Sequence, residues 1–156
     1  MAIALSRDMM SVPDLKVLSF PDDGSLAAGV AGLWLNDVAT VRNDRSYCVA
    51  LSGGRIARRF FSAIVEEVRQ RRVSLRAVHF FWADERCVPP TDPESNYALA
   101  QETLLAPLGI DVTHVHRLRG EVDPELAARE AEAALRRFAP LNDIAQPVLE
   151  ANDNLV

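Results

Sequence analysis

Cysteine is scarce: only Cys48 and Cys87 occur, each in or beside an apolar stretch. Neither has metal-ligand spacing, and a scaffold stapled by disulfides is excluded, so a reduced, cytoplasmic setting is expected with both thiols as small core residues. No apolar run reaches the ~20 residues that a membrane helix needs. The opening MAIALSRDMM has neither the basic flank nor the apolar segment of a secretion signal, so no membrane partner is expected. Positive charge is also short, with 17 Lys and Arg against 22 Asp and Glu and a net charge of −5. That balance argues against a nucleic-acid surface, although it leaves room for a local basic pocket that takes a small anion. What is present, 156 residues that are 49% hydrophobic and 25% charged, suits one globular domain with a real core.

In chain order, residues 1–13 show no periodicity and read as a loose leader. Leu15–Phe20 is a short strand candidate, and Pro21–Ser25 is a turn in which Ser25 or an Asp can cap a helix. From Leu26 to Val41 the apolar residues Leu26, Val30, Leu33, Trp34, Val38 and Val41 recur at helical spacing, as one face against a sheet. Arg42–Ser46 turns the chain back into an apolar strand, Tyr47–Leu51, closed by Ser52-Gly53-Gly54. A helix opening at about Ile56 then buries Ile56, Phe60, Phe61, Ile64, Val65 and Val68, and ends in the basic run Arg69-Gln70-Arg71-Arg72, which complements its dipole. A strand, a glycine pair and a helix N-terminus make a physically sensible anion site, and equally an ordinary tight turn.

The stretch Val78–Tyr97, VHFFWADERCVPPTDPESNY, is the one around which the chain is organised. Its apolar opening, within Ala77–Trp82, reads as an interior strand, followed at once by Asp84, Glu85 and Arg86 and a proline-rich loop. Charges at the C-terminal end of a buried strand stand where open α/β sheets hold their ligands. Ser95 caps a helix through Leu99, Leu104 and Leu105 that ends at Pro107 and Gly109. Thr113–Leu118 reads as a strand. Asp123 and Pro124 start a helix whose face is Leu126, Ala127, Ala131, Ala134, Leu135 and Phe138, and which stops before Pro140. His79 reads as a packed core residue. His114 and His116, with no carboxylate or cysteine nearby, make a poor ligand set, so no metal and no cofactor is expected.

The run FFWADERCVPP…DPESNY resembles the signature of the 6-phosphogluconolactonases, which share a superfamily with glucosamine-6-phosphate deaminases and isomerases. HRLRGE, residues 116–121, matches a further landmark of that family. The resemblance implies an α/β fold, an open and mainly parallel Rossmann-like sheet with helices on both faces. It implies a phosphorylated sugar lactone as partner and Arg86 as the group that binds it. Asp84 and Glu85 would shape or polarise the site as its catalytic carboxylates, Ser52, Gly53, Gly54 and Arg55 would meet the phosphate, and Asn96 would hold the loop or reach the substrate. Two departures stand out. The deaminase relatives read Asp-Glu-Tyr where this chain reads Asp84-Glu85-Arg86, which favours the lactonase branch. The family follows Ser-Gly-Gly with small hydroxyl residues and a proline, where Arg55, Ile56 and Ala57 stand here. Arg55 then either supplies a charge-assisted contact or blocks the pocket.

The resemblance covers residues 14–140, the first half of such an enzyme, as a partial lactonase-like domain, and 141–156 reads as an atypical tail. The Gly-Met-Gly…Asp-Gly-His-Thr-Ala-Ser block that carries the family's histidine acid or base has no match in this chain. Three functions stay open. The first is hydrolysis of 6-phospho-D-glucono-1,5-lactone to 6-phosphogluconate, in the oxidative pentose phosphate pathway, by this chain as a lactonase or as part of one. The second is a non-catalytic remnant or phosphosugar-binding domain. The third, weaker, is a deaminase or isomerase relative. Self-association through an uncovered sheet edge is expected.

Overall fold

The computed structural model describes residues 17–42 and 45–139, so the expectations for the leader, for Leu15 and Lys16 and for residues 141–156 lie outside the described residues. Helix α1 spans Asp23–Thr40 and is capped by Asp22, whose Oδ1 accepts from the Ser25 amide at 2.7 Å. It leads to strand β1, Tyr47–Leu51, helix α2, Arg55–Arg71, and strand β2, Val78–Trp82. Helix α3, Asn96–Ala100, widens into one π turn over Gln101–Leu105 and finishes as a single turn, α4, at Ala106–Leu108. The cause of the wide turn is Pro107, whose ring in a regular helix would press on the Thr103 carbonyl. Gly109 ends the helix at φ 60°. A 3-10 turn, Val112–His114, precedes strand β3, Val115–His116, and helix α5 closes the described chain over Pro124–Phe138.

The strands form one parallel sheet in the order β1-β2-β3, with Tyr47 opposite Val78, Leu51 opposite Trp82 and Phe80 opposite Val115. Every residue of β2 is buried, as a central parallel strand requires. Val78, Phe80 and Trp82 share one core with Ala31 and Val38 of α1, with Ala57, Phe61, Ile64 and Val65 of α2, and with Leu104 and Leu105. The alternate residues of β2, His79 and Phe81, face the other way, toward α5, where His79 stacks on Phe138. Helices therefore cover both faces, and the fold is the open parallel α/β sheet expected. No helix among the described residues is long and apolar enough to cross a membrane.

Six expectations need correction, the first being Cys87, expected in the core but exposed. Residues 17–20 form no strand; Phe20 is instead anchored by its ring on α1, where a methyl at Gly29 would stand 2.3 Å from it. The buried face of α1 is Ala27, Ala31, Leu35 and Val38, while Val30 and Leu33 stay exposed. The helix is apolar around most of its girth, and small alanines let it lie close on α2. On α2 the inward position of the first turn is Ala57, and Ile56 points outward, 44% exposed. The strand expected over Thr113–Leu118 shrinks to two residues because Asp111 claims the preceding turn, its Oδ1 accepting from the Thr113 amide at 2.8 Å and hydroxyl at 2.7 Å. The expected apolar face of α5 exists but is not buried, since the three strands offer it too little surface; Leu126 and Leu135 remain exposed.

Candidate functional site

Beyond Trp82 the chain leaves the sheet and turns back on itself through two carboxylates. Glu85 accepts from four donors: the Arg86 amide at 2.8 Å, the Ser95 hydroxyl at 3.1 Å, and the Asn96 and Tyr97 amides at 2.8 and 2.9 Å. The last two are unpaired amides in the first turn of α3, so Glu85 caps that helix from ten residues upstream, beside Ser95, whose hydroxyl accepts from the Ala98 amide. Asp84 is held by both oxygens, with the Ser52 hydroxyl donating to Oδ1 at 2.9 Å and Asn96 Nδ2 donating to Oδ2 at 3.0 Å. Asn96 Nδ2 also reaches the Asp84 carbonyl at 3.0 Å, and its side chain is buried. These bonds tie the end of β1, the end of β2 and the start of α3 into one unit.

The close fit continues at Gly53. A Cβ there would fall 1.8 Å from Asn96 Oδ1, so only glycine lets the β1 turn lie on the asparagine. Gly54 is glycine for another reason: its φ of 94° aims the chain into α2 with the first amides of that helix free. These amides open on a cleft of about 660 Å³ lined by Gly54, Arg55, Arg58, Arg59, Arg86 and Asn96, with Glu94 and Glu102 at its acidic rim. Arg58 pairs with Glu102 at 3.3 Å and Arg59 with Asp23 at 3.9 Å, both exposed and weak. Among the described residues the guanidinium groups of Arg55 and Arg86 have no ion-pair partner. Such a cleft, with two uncommitted cations and a helix N-terminus, is built for a small anion.

Of the residues singled out in the sequence, Gly54, Arg55, Arg86 and Asn96 line this cleft. Ser52, Gly53, Asp84 and Glu85 do not; they form the framework behind it. Arg58 and Arg59 were missed, though their spacing of three and four from Arg55 places all three on one helical face. The three histidines line a separate hollow, and among the described residues no group of ligands is arranged to hold a metal ion.

A second loop braces Arg86 from behind. At Gly120 a Cβ would stand 2.0 Å from the Arg86 carbonyl oxygen, so backbone lies directly on backbone. Arg117 grips Glu121 with two bonds of 3.0 and 2.6 Å and lies over the Tyr97 ring at 5.4 Å. The Arg117 guanidinium beside it holds the Glu121 carboxyl down at about 2. A lowered carboxylate pKa adds stability above the ordinary value of 4.5 and loses it as pH falls toward 2. Acid titration followed by near-UV circular dichroism should therefore show this loop loosening in that window, and Glu121→Gln should remove the step. An unchanged acid profile in that variant would sink the idea.

A family model described as "Glucosamine-6-phosphate isomerases/6-phosphogluconolactonase" matches residues 21–151. The chain is 44% identical over 102 residues to a 6-phosphogluconolactonase of Treponema pallidum, covering 62% of this chain and 42% of the relative. It is 34% identical over 92 residues to a 6-phosphogluconolactonase of Haemophilus influenzae, covering 59% and 40%. Among solved structures, the crystal structure of a devB protein superposes with a TM-score of 0.64 at 28% identity, over 73% of this chain and 48% of that one. A 6-phosphogluconolactonase from Trypanosoma brucei does so with a TM-score of 0.58 at 26% identity, over 77% and 48%. The chain thus spans about two fifths of the length of the curated relatives it matches and half of the solved ones.

Proposed function

The chain belongs to the glucosamine-6-phosphate isomerase/6-phosphogluconolactonase family, and from that premise we propose that it supplies the phosphate-recognising part of a lactonase site. The ligand is a phosphorylated sugar lactone, 6-phospho-D-glucono-1,5-lactone by analogy with the relatives, and the reaction is its hydrolysis to 6-phosphogluconate. The observation that carries this reading is the cleft in which Arg86 and Arg55 stand, without ion-pair partners among the described residues, beside the free amides of α2. Arg86 takes the phosphate oxygens through its planar fork, and the first turn of α2 adds backbone donors and the positive end of its dipole. Arg55, exposed at the cleft wall, adds charge where relatives carry a hydroxyl.

Lactone opening also needs a base to activate water and donors for the oxyanion. Neither Asp84 nor Glu85 lines the cleft, and no histidine among the described residues does. This favours a second reading, in which the chain binds phosphosugar without turning it over unless another segment completes the site. Hydrolysis of freshly generated lactone, corrected for spontaneous opening, separates the two readings. Titration with 6-phosphogluconate tests what they share. Arg86→Ala should weaken that binding about 10- to 100-fold, as the loss of a charge-assisted contact implies. Arg55→Ser should weaken it by a smaller factor; tighter binding would mean that Arg55 obstructs the cleft instead. Binding indifferent to Arg86→Ala overturns both readings.

A further inference from the structure

All three histidines of the chain, His79, His114 and His116, meet in one stack on the sheet face beneath α5. The His79 and His114 rings lie 4.5 Å apart at 17°, and those of His79 and His116 lie 5.2 Å apart at 18°. Nδ1 of buried His79 stands 2.9 Å from Nε2 of His116. At that distance one nitrogen donates its proton and the other must offer a lone pair, so both rings cannot be charged at once and keep the bond. His114 Nδ1 is 3.0 Å from the Val78 carbonyl and donates to it. From α5, the Phe138 ring closes the stack, 4.3 Å from His79 and 4.4 Å from His116.

The charges around this stack offer little relief for added protons. Arg137 on α5 lies over the Phe138 ring at 5.1 Å and adds a cation. From β1, Cys48 donates its thiol to the Phe138 carbonyl at 3.4 Å, and burial pushes that thiol up, keeping it neutral. Asp111, beside His114, has its carboxylate engaged by Thr113. A hollow of about 650 Å³, lined by the three imidazoles, Thr113, Arg137 and Phe138, gives solvent access to the stack. The rest of α5 is loosely held. None of its residues is fully buried, and its outer tie is a partly exposed pair, Arg119 to Glu130 at 3.3 Å.

We propose that the three imidazoles are an acid-operated latch: neutral, they seat Phe138 and with it α5 on the sheet, and a second proton in the stack releases the helix. Burial first, and then the neighbouring histidines, hold His79 below the ordinary 6.5; burial does the same for His116, helped by His114 and Arg137. The sign follows from this. The released state takes up protons at the ordinary value, so docking of α5 is complete above 6.5 and weakens as pH falls below it.

Amide hydrogen exchange of the intact chain at about pH 7.5 and about pH 5, corrected for intrinsic rates, reads the latch directly. Protection in α5 should fall about tenfold or more relative to α2 on acidification. A double variant, His79→Phe with His116→Phe, keeps aromatic rings in the stack but leaves His114 as its one imidazole, so no second proton can enter and its α5 should stay protected at both pH values. Equal α5 protection in the wild-type chain at the two pH values overturns the proposal, as does the same acid response in the variant. Should the variant fail to fold, the imidazole proton resonances of the wild-type chain decide. His79 and His116 titrating below 6.5 together with the loss of α5 protection supports the latch. Titration uncoupled from that loss overturns it.

Discussion

Glu85→Ala should lower the stability of the chain by about 3–5 kcal/mol and abolish phosphosugar binding in the same variant. Glu85 is the common acceptor for the Arg86, Asn96 and Tyr97 amides and the Ser95 hydroxyl. Each hydrogen bond to a charged acceptor contributes about 1.5–3 kcal/mol, and the contributions are not additive. Water entering the vacated space recovers part of the loss, which places the expectation near the size of two bonds. In a chain of this length that is a fall in melting temperature of about 10 °C or more. Glu85→Gln should be nearly as harmful, because its new N–H group faces donors. The pairing of the two readouts is what matters. If Glu85 acted in the chemistry alone, its removal would silence turnover and leave the melting temperature where it was. A stable, phosphosugar-binding Glu85→Ala variant would refute the capping role.

Gly53→Ala is the second large effect expected, about 2–4 kcal/mol, because the new methyl would land 1.8 Å from Asn96 Oδ1 and 2.5 Å from Cγ. Asn96 cannot swing aside freely. Its side chain is buried, and its two Nδ2 bonds position Asp84. Whichever side gives way, the β1 turn or the asparagine, the cleft wall moves with it. Combining Gly53→Ala with Asn96→Ala tests the cause. The double variant should lose at least about 1 kcal/mol less than the sum of the single losses, since removing Asn96 makes room for the methyl. Strict additivity in denaturant titrations would show that the fault lies in the turn's backbone and not in this contact.

The two longer strands were legible in the sequence for a simple reason. Tyr47–Leu51 and Val78–Trp82 are short apolar runs bounded by polar or turn residues, and such runs have one stable use, as parallel strands buried between helices. The Ser95 and Asp123 caps were readable too, and the α1 cap was narrowed to Ser25 or an Asp, because a cap bonds an amide two or three residues away. What was not legible depends on meetings across the chain. The capping role of Glu85 is visible only once the fold carries the start of α3 back to it. Gly120 is an unremarked glycine until it touches the Arg86 carbonyl. The faces of α1 and α5 were misread in opposite ways. One helix has apolar residues on too many sides for spacing to choose among them, and the other has a clean stripe that the described sheet is too narrow to cover.

That sheet is parallel at both of its pairings, β1 with β2 and β2 with β3, so no strand can meet its partner through a tight hairpin. In time, the order of assembly follows. The β1–α2–β2 segment closes the shorter loop, 31 residues between paired Cα partners such as Tyr47 and Val78, and most of the shared core lies within it or on it. The β2–β3 pairing spans 35 residues, Phe80 to Val115, for only two residues of ladder. Collapse should therefore begin around Phe61, Phe80 and Ile64, with β3 and α5 arriving last, so substitutions in the early unit slow folding while those near Phe138 mainly hasten unfolding.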